Sequence, residues 1–181
     1  MKQKATQFFI VALLVSFLAS ISGCASDKTT SRRMPPVENF DVERYMGTWY
    51  EIARLPQWFE NNLSDVKAEY TLLENGTVKV VNTGVRDGEV KRAEGVARFK
   101  GWNKIGSLEV SFDKHFYSDY RIIRLADDYR YAVVTGKKKD SLWILSRTPQ
   151  LPQKELDELL AYVTGLDFDI SRLEYPQQSE K

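Results

Sequence analysis

From Gly47 onward, short runs rich in Val, Ile, Tyr, Phe and Thr alternate with clusters of Gly, Asn, Asp and Lys. Eight runs are read as strands: Thr48–Leu55, Val66–Leu73, Thr77–Val85, Glu89–Lys100, Ser107–Phe112, Tyr117–Leu125, Arg130–Thr135 and Ser141–Ser146. Strands this short and evenly spaced predict an all-β sandwich or barrel. Most breaks, such as Glu74-Asn75-Gly76 and Arg86-Asp87-Gly88, are short, so consecutive strands should pair antiparallel. Gly95 lies inside the longest run and is read as a bulge or corner. The period then changes: Leu156, Leu159, Leu160 and Val163 form one apolar stripe at helical spacing, with Pro152 at the start and Gly165 at the end. This one helix is expected to pack outside the sheet. Asp169 to Tyr175 is expected to add a last strand, and Gln177 to Lys181 to fray.

Two of the strands carry an informative residue at one end. Gly47-Thr48-Trp49-Tyr50-Glu51 is a turn glycine followed by a strand whose first inward residue is the largest side chain available. Trp143-Ile144-Leu145-Ser146-Arg147 is an apolar strand that ends in a lone guanidinium. In an up-and-down order Trp49 begins an upward strand and Arg147 ends a downward one. Both then lie at the same end, where the guanidinium can stack on the indole face.

This pairing of G-x-W-[YF]-E with a late closing Arg resembles the lipocalin family, and GTWYEIAR with LSRTP resembles its bacterial lipoprotein members. The resemblance covers roughly Phe40 to Tyr175. It implies an eight-stranded up-and-down antiparallel barrel with one C-terminal helix outside, closed by Gly47, Trp49 and Arg147. The family's second motif, a [TS]-D-Y-like turn, is met only by Asp128-Tyr129, with Asp127 in place of Thr or Ser.

Alternation supplies the wall of such a barrel. An inward Trp49 puts Ala53 and Leu55 inward, and Arg147 at the closed end puts Trp143 and Leu145 on its face. The apolar pattern adds Ala68, Tyr70, Val80, Phe99, Leu108, Val110 and Tyr120, with Tyr117 at the rim. The register of Tyr117–Leu125 stays open, because both of its faces are apolar in places. Counting places Trp58, Phe59 and Phe116 at the open end with Arg86, Lys114, His115 and Lys137-Lys138-Lys139. Rings beside cations suit an amphiphile, its tail in the barrel and its anionic head at the rim. Exposed rings also offer a surface for a homodimer.

The N-terminus alters the cellular picture. Lys2 and Lys4 precede an apolar stretch from Phe8 to Ile21 and then Ile21-Ser22-Gly23-Cys24. This is the order of a secretory signal, residues 1–23, and the apolar stretch is shorter than the ~20 residues of a spanning helix. Cys24 is the only cysteine, so no intrachain disulfide competes with its acylation as the first mature residue. The lipoprotein resemblance implies an acyl anchor at Cys24. Ala25 and Ser26, with no Asp after the cysteine, point to the outer membrane by the enteric sorting rule. Residues 24–38 are read as a polar tether and 39–181 as the barrel domain.

Composition narrows the chemistry. Loss of Lys2 and Lys4 with the leader takes the formal net charge from +1 to −1, which argues against nucleic acid as a partner. His115 is the only histidine, which excludes a histidine metal cluster, a histidine triad elsewhere and a zinc helix. Phosphate-binding glycine motifs are absent, and no cofactor, metal or catalytic group is expected. Some lipocalins are isomerases with a cysteine nucleophile, a role that Cys24 cannot fill while acylated. The expected partner is a fatty acid or lysophospholipid, for storage, scavenging or transport in the bacterial envelope. Haem held by His115, a pigment, and a lipid-acting enzyme using Ser118 or His115 are the alternatives.

Overall fold

The computed structural model describes residues 34–179. Eight strands run in chain order, β1 (Gly47–Arg54), β2 (Ser64–Leu72), β3 (Val78–Arg86), β4 (Glu89–Phe99), β5 (Ser107–Ser111), β6 (Ser118–Leu125), β7 (Tyr131–Thr135) and β8 (Leu142–Ser146). Each pairs antiparallel with its neighbours and β8 returns to β1, closing the barrel. A short helix α1 (Val42–Tyr45) precedes β1, capped by the Asp41 carboxylate, and α2 (Gln153–Gly165) follows β8.

Two cores divide the apolar residues. One lies inside the barrel and includes Phe40, Tyr45, Trp49, Val78, Ile122 and Leu145. The other lies outside, where Leu159 and Val163 of α2 cover Ala53, Leu55, Val133, Leu142 and Ile144. Strands β1, β7 and β8 are therefore buried on both faces, which their near-continuous apolar runs already suggest.

The barrel is solid at one end because of Trp49 and Arg147. The indole is fully buried, and its Nε1 donates to the Tyr45 carbonyl at 2.8 Å. The Arg147 guanidinium stacks 3.9 Å from the ring centroid and donates to the carbonyls of Thr48 (2.8 Å), Arg44 (2.7 Å) and Tyr129 (3.3 Å). Such a desolvated stack contributes up to ~2 kcal/mol beyond its hydrogen bonds. Gly47 adopts φ +88°, a backbone conformation that suits glycine, and lies beside Arg147 Nη1. Tyr129 completes this end: its hydroxyl accepts from the Asp41 amide at 2.8 Å and Arg44 stacks over its ring.

Four sequence expectations change at the ends and at one glycine. Residues 34–38 are not tether: Met34 is buried in the outer core, and Val37 exchanges backbone hydrogen bonds with Ile122 and Gly106. The tail makes a 3-10 turn (Ile170–Arg172) and a single bridge between Glu174 and Arg54 rather than a last strand, and Gln178 is docked, its amide donating to the carbonyls of Glu51 and Val66. Gly95 lies in unbroken register, and its role is close approach. A Cβ there would meet the Ser111 carbonyl at 2.6 Å and the Phe112 ring at 2.8 Å. The bulges fall instead at Glu51/Ala53, Ser64/Lys67 and Ile122/Arg124. Cys24 and the start of the tether lie outside the described residues.

Removing the indole leaves a void that the rigid barrel end cannot collapse. Trp49→Ala is expected to lower the unfolding free energy by about 3–5 kcal/mol. Urea unfolding followed by circular dichroism measures this, and a loss below ~1 kcal/mol would mean that the stack does not hold the closed end.

Candidate ligand-binding site

Above the filled half, the barrel contains a cavity of about 1140 Å³ that opens at the end opposite Trp49. Its floor is three tyrosines. Tyr120 Oη lies 2.7 Å from Tyr45 Oη and 3.0 Å from Tyr70 Oη, so the three hydroxyls satisfy one another in an otherwise apolar place. Burial pushes the Tyr70 phenol up to about 12, and all three remain neutral donors and acceptors. The wall around them is largely apolar and includes Ala68, Val80, Ala97, Leu108, Val110, Val134 and Leu145. Asn82 Oδ1 is buried on this wall without a protein partner and can accept from a guest molecule.

The sequence-predicted wall residues separate into two groups. Phe59, Tyr70, Val110, Tyr117, Tyr120, Trp143 and Leu145 line the cavity, as do Ala68, Val80 and Leu108. Ala53 and Leu55 do not: they face the outer core under α2. The bulge between Glu51 and Ala53 is the reason, because one extra residue reverses the alternation that Trp49 begins. Phe99 does point inward, but it packs 6.2 Å from Phe40 and is not among the lining residues. In β6, Tyr120 and Ile122 face inward and the bulge after Ile122 turns Ile123 to the outer core, which settles the open register. His115 lies on the exposed β5–β6 connection and is not among the lining residues.

That same bulge builds a polar corner which alternation from Trp49 only half foretells. In a regular strand residues 51 and 54 point to opposite faces. Here both side chains meet, with Arg54 Nη1 donating to Glu51 Oε1 at 2.5 Å. Arg54 also donates to the Glu60 carbonyl at 2.7 Å and to Glu174 at 3.0 Å, while Glu60 Oε2 accepts from Trp143 Nε1 at 3.2 Å. The buried guanidinium thus ties β1, the β1–β2 connection and the C-terminal tail together. Glu51, two residues after Trp49, was legible as inward by alternation. Glu60 carried no periodic signal.

Three carboxylates around one buried cation cannot all stay ionised cheaply. Burial first, and then the charge of Glu60, push the Glu51 carboxyl up to about 8 against the pull of Arg54. Burial raises Glu60 as well. The folded corner therefore holds a proton that the unfolded chain releases, and its contribution to stability is lost as pH rises from about 4.5 toward about 8. Glu51→Gln, which keeps the shape without the titration, is expected to flatten this decline. Urea midpoints measured across that range test it, and equal slopes for both proteins would contradict the assignment.

At the open end, the four connections carry Trp58 and Phe59, Asp87-Gly88, Phe112 to Tyr117, and Gly136 to Ser141. The indole of Trp58 meets Phe59 edge to face at 5.6 Å. Gln57 Nε2 donates to the Asp140 carbonyl at 3.1 Å, joining two of these connections across the rim. Lys91, Arg92, Lys137 and Lys138 border the opening.

This geometry has close counterparts. The lipocalin-like domain family matches residues 40–178. The outer membrane lipoprotein Blc of Escherichia coli K12 is 41% identical over 171 residues, covering 93% of this chain and 95% of the relative. Apolipoprotein D of Rattus norvegicus is 34% identical over 185 residues, covering 97% and 96%. Among solved structures, insecticyanin from the tobacco hornworm superposes with a TM-score of 0.67 at 25% identity, over 81% of this chain and 85% of that one. With the barrel, its stacked closing pair and these matches in hand, the chain belongs to the lipocalin family.

Proposed function

We propose that this protein binds a fatty acid or lysophospholipid in its barrel and stores, scavenges or carries it within the bacterial envelope, without catalysing a reaction. The observation that carries this reading is the apolar cavity of about 1140 Å³, closed by Trp49 and open at the opposite end. Its size lies just above that of ordinary ligand sites, roughly 300–1,000 Å³, and accommodates a long acyl chain. About 14 buried methylenes at ~0.8 kcal/mol each give ~11 kcal/mol. An association cost of at least ~4 kcal/mol then leaves around micromolar affinity. An anionic head at the rim would meet Lys138 and Arg92, and the neutral form of Glu51 is compatible with hydrocarbon beside it. Haem is a weaker reading, since the sole histidine lies off the cavity wall.

The same reading puts an acyl anchor on Cys24 and the barrel on the periplasmic side of the outer membrane. Support comes from the leader and its single cysteine, and from the similarity to proteins named outer membrane lipoproteins. Cys24→Ala is expected to move the protein from the membrane fraction to the soluble fraction, with the fatty-acid site intact.

Titration with a fluorescent fatty acid tests the cavity. Saturable binding near micromolar is expected, and Val110→Trp, which fills the space, should weaken it at least ~10-fold. Absence of saturable binding, with no lipid recovered from purified protein, would refute the proposal.

A further inference from the structure

The exposed apolar side chains are unevenly shared between the two ends of the barrel. Trp58 is 84% exposed and Phe116 79%, and Phe59, Val90 and Phe112 are exposed beside them, all on connections or strand ends at the mouth. The closed end presents Trp102 and, less fully, Leu73. A crown of exposed rings of this kind marks a surface that a partner removes from water.

The crown is held in place. Asp113 Oδ1 accepts from the amides of His115 and Phe116 at 2.9 Å each, and Ser111 Oγ accepts from the Lys114 amide at 2.9 Å, fixing the connection that presents Phe116 outward. On the opposite side, Gln57 bonds to Asp140, and Arg86 donates to the Phe59 carbonyl at 3.3 Å. Lys114, Lys137 and Lys138 are exposed between these rings.

The chain entering the barrel supplies the direction. Running back from Phe40 at the closed end, it passes Val37, bonded to Ile122, and reaches Met34 in the same outer core as Leu55 and Leu142. The antiparallel bridge between Glu38 and Ile105 makes this backward course run with β5, toward the mouth. From Ile122 the rim lies four residues up β6, about 13 Å. Residues 25–33 separate Met34 from Cys24 and span roughly 30 Å when extended, enough for the mouth to meet the bilayer that holds Cys24.

We infer that the barrel docks mouth-first onto the membrane that anchors it, with Trp58 and Phe116 seated among the acyl chains and Lys114 and Lys138 on anionic head groups. Aromatic rings favour that interface, and nearby lysines are drawn to an anionic surface. A lipid can then pass from bilayer to cavity without crossing water. The inference rests on the anchoring at Cys24 proposed above.

The intact, lipid-anchored protein in phosphatidylethanolamine–phosphatidylglycerol vesicles with brominated acyl chains tests it, because bromine quenches only indoles that enter the bilayer. Quenching is expected, with most of it lost in Trp58→Phe and none in Trp102→Phe, which reports the closed end. Lys114→Glu with Lys138→Glu should reduce it. Quenching carried by Trp102, or none at all, as when the crown is buried against water or a second copy of the chain, overturns the proposal. Fatty-acid titration reads the cavity separately: uptake without docking removes only the orientation, and docking without uptake removes only the ligand reading.

Discussion

A cation stacked on a buried indole decides where this barrel is solid and where it is hollow. Burying a guanidinium away from water is costly unless its donors are satisfied. Here three backbone carbonyls from separate segments take them, and the Trp49 face takes the plane of the group. The arrangement gathers α1, β1, the β6–β7 turn and the end of β8 into one plug. Apolar side chains pack down onto it, and the upper half of the barrel is left free of the need to fill itself.

The hollow half depends on the plug for another reason. A cavity lined by apolar wall residues forfeits dispersion contacts across its interior, and the structure must find that stability elsewhere. The second core does this. Helix α2, Met34 and Phe168 bury the outer faces of β1, β7 and β8, so these strands are supported from outside where they lack support within. An apolar guest in the cavity would restore the missing contacts from the inside.

The mouth follows a different logic from the plug, although both rest on a buried arginine. Arg147 bonds only to carbonyls, whereas Arg54 faces carboxylates that compete for it. The first arrangement contains no carboxylate. The second titrates, and it lies under the connection that carries Trp58 and Phe59. Rings above a protonatable corner put the responsive part of the molecule at the entrance to the cavity.

The sequence by itself determined much of this. Period-two runs set apart by turn residues marked all eight strands to within about two residues, since that alternation is the strand's own geometry. Trp49 and Arg147 could be assigned to one end because short connections force neighbouring strands to run antiparallel. Tertiary structure decided the faces beyond each bulge. Ala53 and Leu55 lie outside, not within, because an extra residue in β1 is invisible to a pattern that counts by twos. It decided as well that Phe99 belongs to the plug, that Met34 to Glu38 lie on the wall, and that Glu51, Arg54 and Glu60 share one corner. Each depends on a contact between segments far apart in the chain, and such contacts leave no local period to read.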